Sequence, residues 1–152
     1  MKKLLTLAII AGLLFSVRAI AAPKTASTTI SEKIQATTAK EVIDTAVKVF
    51  AVRYPDMKIK NKHTSGIVFN QKRQASSAQR LFGGNLQDID ITLDTASHDD
   101  YILATLSIAI FSHREDGSIR VMRKTPAKDK ENLQEALLDI KKQIEKTHAS
   151  TP

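Results

Sequence analysis

Two long strands in tandem are predicted by the stretch DIDITLDTASHDDYILATLSIAIF, residues 88–111. In its first part, isoleucine and leucine alternate with aspartate and threonine, with the period of two that a half-buried strand requires. The turn His98-Asp99-Asp100 follows, and after it every second residue from Ile102 to Ile110 is aliphatic. The other side of this second strand is also partly apolar, which predicts a central position in an antiparallel sheet.

Shorter strands are predicted on both sides of this pair. Residues 30–35 and 57–63 each have the pattern of a strand, and residues 67–70 begin a return strand after the turn at Ser65-Gly66. An Asp-Gly turn at residues 116–117 predicts a hairpin that leads into a strand over 119–123. Residues 71–87 are mostly polar, and we expect a long loop there, or a frayed strand followed by a turn.

Two amphipathic helices complete the pattern. Thr38-Ala39-Lys40-Glu41 has the spacing of a capping box, and apolar residues recur at helical spacing from Val42 to Phe50, so a helix is expected over about 39–53. Pro55 ends it, because proline disfavours helix in the residue before it. A second helix is predicted from about Lys128 to near Thr147, with the apolar positions Leu133, Leu137, Ile140 and Ile144.

These elements predict an α+β fold, a two-layer sandwich in which an antiparallel sheet of about five to six strands carries two helices on one face. We expect a single domain over residues 30–147, preceded by a flexible lead-in at 22–29 and followed by a tail at 148–152. Each helix offers several large apolar side chains, worth roughly 1.5–3 kcal/mol apiece on burial before entropy. Such a domain needs neither metals nor disulfides.

Residues 1–21 have the layout of a secretory signal peptide. Lys2 and Lys3 precede an apolar run, and small residues follow before the expected cut after Ala21. A membrane anchor is the alternative, but the run of about 14 residues is shorter than the roughly 20 that span a bilayer. Cleavage would lower the basic count from 23 to 20 against 16 acidic residues, a net charge of +4. We therefore expect a periplasmic or secreted protein without a membrane span in its mature chain.

Composition excludes several classes of function. The chain has no cysteine, which rules out disulfides, thiolate metal sites and thiol catalysis. It has no tryptophan and only 5% aromatic residues, which argues against a stacking platform for nucleic acid. The sequence lacks the nucleophile patterns Gly-x-Ser-x-Gly and Ser-x-x-Lys, and Gly83-Gly84 lacks the lysine of a phosphate-binding loop. We predict neither catalysis nor a cofactor.

Histidines and aspartates give no strong metal signal. The four histidines, at positions 63, 98, 113 and 148, are not spaced to present a pair from one helix or strand. His98-Asp99-Asp100 could form a weak cation site, although a solvated turn is the simpler interpretation. Asp88, Asp90 and Asp94 alternate with apolar positions, which places them on the solvent-exposed face of a strand. No metal ligand is predicted.

Charge segregation is the most informative feature for function. Residues 53–80 carry seven basic groups against one acid, and residues 81–100 carry five aspartates and no lysine or arginine. The two sets could pair across neighbouring strands, worth a few tenths of a kcal/mol per pair. Alternatively, the basic set could bind an anionic partner such as lipopolysaccharide. The candidate contact residues are Lys58, Lys60 and Lys62, expected on one strand face, together with Lys72, Arg73 and Arg80.

The helix Val42–Phe50, the turn Ser65-Gly66 and the alternating stretch Ile89–Ile110 resemble, at the level of fold, small envelope domains of the BamC outer-membrane assembly lipoprotein type. The resemblance covers about residues 30–147, departs from that type in lacking a lipidated cysteine, and transfers no site residue. It implies a scaffold or interaction role. The leading hypothesis is thus an exported, non-catalytic interaction or assembly domain with an envelope protein partner. The alternatives are an anion-binding module using residues 58–80 and a hydrolase with an unrecognised site.

Overall fold

The computed structural model describes residues 28–36, 38–74, 77–81 and 84–150. The predicted signal peptide, residues 22–27 of the lead-in and residues 151–152 of the tail lie outside this part of the chain. The strands are β1 (Thr28–Ile34), β2 (Lys58–Lys62), β3 (Gly66–Gln74), β4 (Gly84–Ser97), β5 (Ile102–Arg114) and β6 (Ile119–Val121). The helices are α1 (Ala39–Arg53), the single turn α2 (Ser77–Arg80) and α3 (Ala127–Ala149).

The six strands form one antiparallel sheet in the order β1-β5-β4-β3-β2, with β6 pairing beside β1 on the same side of β5. The long strands β4 and β5 pair from Asp88 opposite Phe111 to Ser97 opposite Ile102, so the tandem strands of residues 88–111 are confirmed at the centre of the sheet. Both long helices pack on one face, which confirms the predicted α+β sandwich with two helices on one side.

A single hydrophobic core lies between the sheet and the two long helices. The core-facing side of β5 is buried from Ile102 to Ile110, in the predicted phase. On α1, the ring of Phe50 stacks on that of Phe69 from β3, with centroids 4.4 Å apart. The predicted apolar positions of α3 are all buried as well: Leu133, Leu137, Ile140 and Ile144.

Local signals set several element boundaries. The Thr38 hydroxyl accepts a hydrogen bond from the Glu41 amide at 3.1 Å, which caps α1 as predicted. Gly117 has a φ of +78° in the β5–β6 turn, a conformation that favours glycine. A Cβ on Gly66 would lie 2.7 Å from the Leu93 carbonyl oxygen, so a side chain there would push β3 away from β4.

Several predicted boundaries differ from the structure. Residues 71–87 are not a long loop but are close to the alternative, a strand followed by a turn, because β3 continues to Gln74, α2 forms one turn and β4 begins at Gly84. β1 begins at Thr28, inside the expected lead-in, and α3 extends to Ala149, two residues past its predicted end. The largest of these differences arises because polar residues occupy core-facing positions at the ends of β3 and β4. In the described chain, no helix has the length and apolar character that crossing a membrane requires.

Candidate functional site

One face of the sheet is turned away from both long helices, and we call it the open face. Residues directly opposite each other on neighbouring strands share a face, so the strand register defines its members. It is polar at its centre, where Thr92 lies opposite Ser107 and Asp94 opposite Thr105. β4 contributes an acidic row to it, and β5 contributes partly exposed small and apolar side chains: Leu103, Thr105, Ser107, Ala109 and Phe111.

The open face becomes apolar where β4, β5 and β6 meet. Phe111 lies opposite Val121, and His113 lies opposite both Ile119 and Leu86, which places these side chains together on one face. Ile119 is 61% exposed and Leu86 is 41% exposed, and both are large hydrophobic residues. We call Leu86, Phe111, Ile119 and Val121 the apolar end. Exposed apolar residues that lie side by side favour a contact surface more than single scattered ones do.

The acidic row on β4 consists of Asp88, Asp90 and Asp94, and groups of the same chain pair with only part of its charge. His113 Nε2 lies 2.7 Å from one carboxylate oxygen of Asp88, and the other oxygen of Asp88 is buried with no hydrogen-bond partner among the described residues. Asp90 accepts hydrogen bonds from Lys60 and Asn70, each at 2.7 Å. Asp94 is exposed and has no ion-pair partner in the ranges that the structure covers. The pair between His113 and Asp88 joins residues 25 positions apart, so spacing along the chain does not predict it.

The three strand lysines do not share one face, so that prediction is wrong. A β-bulge between Ile59 and Asn61 shifts the register of β2, so that Lys58 lies opposite Asn70 on the open face and Lys62 lies opposite Ile67 on the helix face. Lys60 reaches Asp90 on the open face, and Lys62 donates to Asp44 of α1 at 2.9 Å. β3 separates β2 from β4, but the two charged sets still meet on the open face, where Lys60 reaches Asp90 and Lys72 of β3 lies directly opposite Asp88 of β4.

The Asp44 carboxylate lies between two cations. It accepts hydrogen bonds from Lys40, one turn earlier on α1, and from Lys62 of β2. These hydrogen bonds, that of Lys40 first and that of Lys62 second, lower the pKa of Asp44 from 3.8 to about 2. Lys62 thus joins the edge strand to α1.

The other predicted contact residues divide into two groups. Arg73 donates to Gln87 at 2.9 Å and to both carboxylate oxygens of Asp129 at 3.0 and 2.8 Å, so its guanidinium is committed inside the fold. Arg80 donates to Gln74. Lys58 and Lys72 are exposed, and in the described chain neither side chain has a hydrogen-bond or ion-pair partner.

A second set of cations, which no sequence pattern predicted, lies after β6. Arg123 and Lys124 follow Val121 by two and three residues, and Lys128 lies in the first turn of α3. All three side chains are exposed and make no ion pair with any described residue. By contrast, Arg53 at the end of α1 binds both Glu135 and Asp139 of α3, which relieves the repulsion between those carboxylates. The hydrogen bond to Asp139 is the main reason that the pKa of Arg53 is raised.

A cavity of about 250 Å³ lies on the opposite side of the sheet from the open face, between the end of α1 and the start of α3. Its floor is apolar, formed by Ile89, Ile91, Ile108 and Leu133. Its rim is polar and combines an ion pair, two amides and a phenol. The rim residues are Tyr54, Gln71, Arg73, Asp129 and Asn132.

Tyr54, His98 and His148 make local contacts within the fold. Burial raises the pKa of the Tyr54 phenol, which donates a long hydrogen bond of 3.4 Å to the Asn132 carbonyl. His98 stacks on Tyr101, and His148 Nε2 lies 2.7 Å from Glu41. Across the described ranges, no three histidine, aspartate or glutamate side chains are grouped as a metal ion requires.

Comparisons with known proteins found likeness of structure only. No protein-family model matches the sequence, and no curated protein sequence matches it. The chain resembles a solved structure of a DUF4468 family protein from Bacteroides ovatus, with 11% identity and a TM-score of 0.37, over 62% of this chain and 59% of that one. The chain thus spans less than two thirds of that protein.

The chain also resembles a TBP-like protein from Parabacteroides distasonis, with 12% identity and a TM-score of 0.41. That similarity covers 80% of this chain and 97% of that protein. Similarity at this level assigns no activity, ligand or partner to the present chain. The resemblance to BamC-type domains stays a prediction.

Proposed function

We propose that this chain is an exported, non-catalytic interaction domain that binds a protein partner through the apolar end of its open face. The observation that carries the proposal is the exposure of Ile119 and Leu86 beside Phe111 and Val121, on a face that neither long helix covers. Burying apolar surface contributes about 25 cal/mol per Å², so a partner that covers this end gains binding free energy directly.

The partner surface is expected to combine apolar and acidic side chains. Arg123 and Lys124 lie within about 12 Å of Val121 along the chain, since successive Cα atoms are about 3.8 Å apart. They have no ion-pair partner among the described residues, so they are available to carboxylates of a partner. Complementary charge at the rim of an apolar contact directs association and excludes wrong partners. An acidic segment that carries apolar side chains fits both features.

An anionic membrane surface fits less well than a protein. Asp88 and Asp90 lie on the same face as the apolar end, directly opposite Phe111 and Ala109. Bringing this face flat onto an anionic lipid layer would place those carboxylates against lipid phosphates. A protein segment can instead contact the apolar end and the cations while leaving the acidic row in water.

Photo-crosslinking in cells that make the protein tests the proposal. The photoreactive residue p-benzoylphenylalanine replaces Ile119 in one variant and Val52 in a control. Val52 is 84% exposed on α1, on the helix side of the molecule. We expect the variant at position 119, and not the control, to form an adduct with a different protein that carries an acidic, apolar segment at the crosslink. Adducts with lipid only, with a second copy of this chain, or equally from both positions would contradict the proposal.

The proposal of export and of an envelope location depends on the sequence of residues 1–21. The scaffold role implied by the BamC-type resemblance is a more specific version of the proposed interaction role. We expect the mature protein to begin at Ala22 and to be recovered in soluble periplasmic or secreted material. N-terminal sequencing of that material measures this directly. Recovery of a chain with Met1 intact in a membrane pellet would contradict export by cleavage.

The alternative proposal, an anion-binding module at residues 58–80, retains fewer residues. Lys60, Lys62, Arg73 and Arg80 are engaged within the fold. Lys58 and Lys72 remain exposed on the open face, and two lysines supply little of the charge that a polyanion site requires. A salt titration of binding to lipopolysaccharide tests this alternative.

A further inference from the structure

We propose that the cavity between α1, α3 and the helix face of the sheet is a binding site for a small uncharged molecule with an apolar body and one amide group. The cavity lies on the opposite face of the sheet from the apolar end. The inference is therefore independent of the proposed partner contact, and the two can fail separately.

Electroneutrality of the rim sets the charge of the ligand. Arg73 and Asp129 both line the cavity, and two hydrogen bonds of 3.0 and 2.8 Å join them. Gln87 holds the Nε–H of Arg73 at 2.9 Å and fixes the guanidinium in this position. Each charge is thus satisfied by the other. A charged ligand would have to lose water without gaining an unpaired counter-charge, whereas a neutral ligand avoids that penalty.

The polar group expected on the ligand follows from two half-buried side-chain amides of the protein. The side chains of Gln71, from β3, and Asn132, from α3, line the cavity, and neither has a hydrogen-bond partner in the described chain. Each amide offers both donors and an acceptor. A carboxamide on the ligand presents the matching donors and acceptor, so it can form hydrogen bonds with these side chains.

The floor sets the body of the ligand. Ile89, Ile91 and Ile108 of the sheet and Leu133 of α3 present aliphatic surface at the base of the cavity. The volume of about 250 Å³ is slightly below the usual range for drug-sized ligands, which starts near 300 Å³. The ligand is therefore expected to be smaller than a typical drug, and an aliphatic chain of a few carbons matches the aliphatic floor.

Methyl NMR of the protein with labelled isoleucine and leucine tests the site, with pentanamide as the probe and pentanoate and pentylamine as matched charged analogues. We expect pentanamide to produce saturable shifts at the methyls of Ile89, Ile108 and Leu133. The core methyls of Ile34 and Ile144, which do not line the cavity, should not move. No saturable shift with pentanamide, or equal binding of either charged analogue, would overturn the proposal.

A pair of variants on α3 separates the amide contact from apolar binding. Asn132→Ala should weaken pentanamide roughly two- to tenfold, the effect of one hydrogen bond, while leaving the fold intact. Gln134→Ala, at an exposed position two residues away that does not line the cavity, should leave the affinity unchanged. Equal affinities for the two variants would mean that Asn132 does not contact the amide and would overturn the assigned ligand class.

Discussion

The guanidinium of Arg73 and the carboxylate of Asp129 join the end of β3 to the first turn of α3 through two parallel hydrogen bonds, of 3.0 and 2.8 Å. The side chain of Asp129 is only 15% exposed, and that of Arg73 is 35% exposed. Paired, bidentate geometry of this kind is the strong form of the arginine–carboxylate contact. The pair holds β3 in extended structure at a point where its sequence is otherwise polar.

Removing one partner of this pair is expected to destabilise the domain. Asp129→Ala leaves a partly buried guanidinium without its carboxylate, and we expect the free energy of unfolding to fall by about 1–3 kcal/mol. Lys130→Ala, at the next residue, is the control, since its side chain is exposed and has no ion-pair partner in the described ranges. Urea denaturation of both variants measures the difference. Equal midpoints would show that the pair contributes nothing to stability.

Apolar periodicity predicted the fold, and polar residues at core-facing positions account for most of what it missed. The phase of β5 followed from aliphatic spacing, and the span of α1 followed from apolar spacing together with the capping box and Pro55; Leu106 and Phe50 are buried as expected. Gln87 is 1% exposed, yet nothing near it in sequence indicates burial, because its partner Arg73 lies 14 residues away. The polar segment therefore looked like a loop.

The candidate site was predictable only in part. The aspartates of β4 were correctly placed on the side of the strand opposite its buried positions. The bulge at Lys60, which turns Lys62 to the helix face, has no signature in an alternating sequence. The apolar end depends on which strands become neighbours: Ile119 and Leu86 are both opposite His113 only because β4 and β6 flank β5. Spacing along the chain does not carry that information.

The strand phase of β5 can be tested with one pair of aspartates. Leu106 is fully buried, so Leu106→Asp places an unpaired charge in the core and should prevent folding. Thr105→Asp lies on the open face opposite Asp94, where like-charge repulsion should cost only about 1 kcal/mol or less. Circular dichroism melting curves compare the two variants. Similar losses in both would contradict the assignment of the two faces.

Acid stability should depend on Asp44. Its pKa is about 2 in the folded chain, because of Lys40 and then Lys62, against 3.8 without them. A lowered folded-state pKa contributes stability above 3.8, and that stability is lost as the pH falls through about 2. Asp44→Asn removes this titration, so its urea midpoint should decline less than that of the wild type over this range.

Lys62→Gln provides an internal control for the acid-stability test. Lys40 is the first cause of the lowered pKa and remains in this variant, so Lys62→Gln should fall between the wild type and Asp44→Asn. Parallel declines of all three proteins across the range would contradict the role assigned to Asp44.

The triple variant Lys58→Gln, Lys60→Gln and Lys62→Gln separates the two roles considered for the strand lysines. Because Lys60 and Lys62 form partly exposed ion pairs within the fold, we expect a loss of at most about 1 kcal/mol in stability. A salt titration should show no difference from the wild type in binding to lipopolysaccharide. A site with three phosphate-like contacts would instead give a log–log slope of about −2.7, or roughly 40-fold weaker binding for a fourfold rise in salt. A wild type that shows this slope beside a triple variant that lacks it would establish the anion-binding alternative.

The most direct test of the proposed partner surface is backbone-amide NMR of the protein titrated with two short peptides, one alternating leucine and glutamate and the other alternating leucine and lysine. We predict that the leucine–glutamate peptide shifts the amide resonances of residues 111–113 and 119–124. These segments contain Phe111, Ile119 and Val121 of the apolar end and the cations Arg123 and Lys124. The amides of α1 and α3 should remain unchanged. No shift with this peptide, an equal response to the leucine–lysine peptide, or shifts centred on the helices would contradict the proposed function.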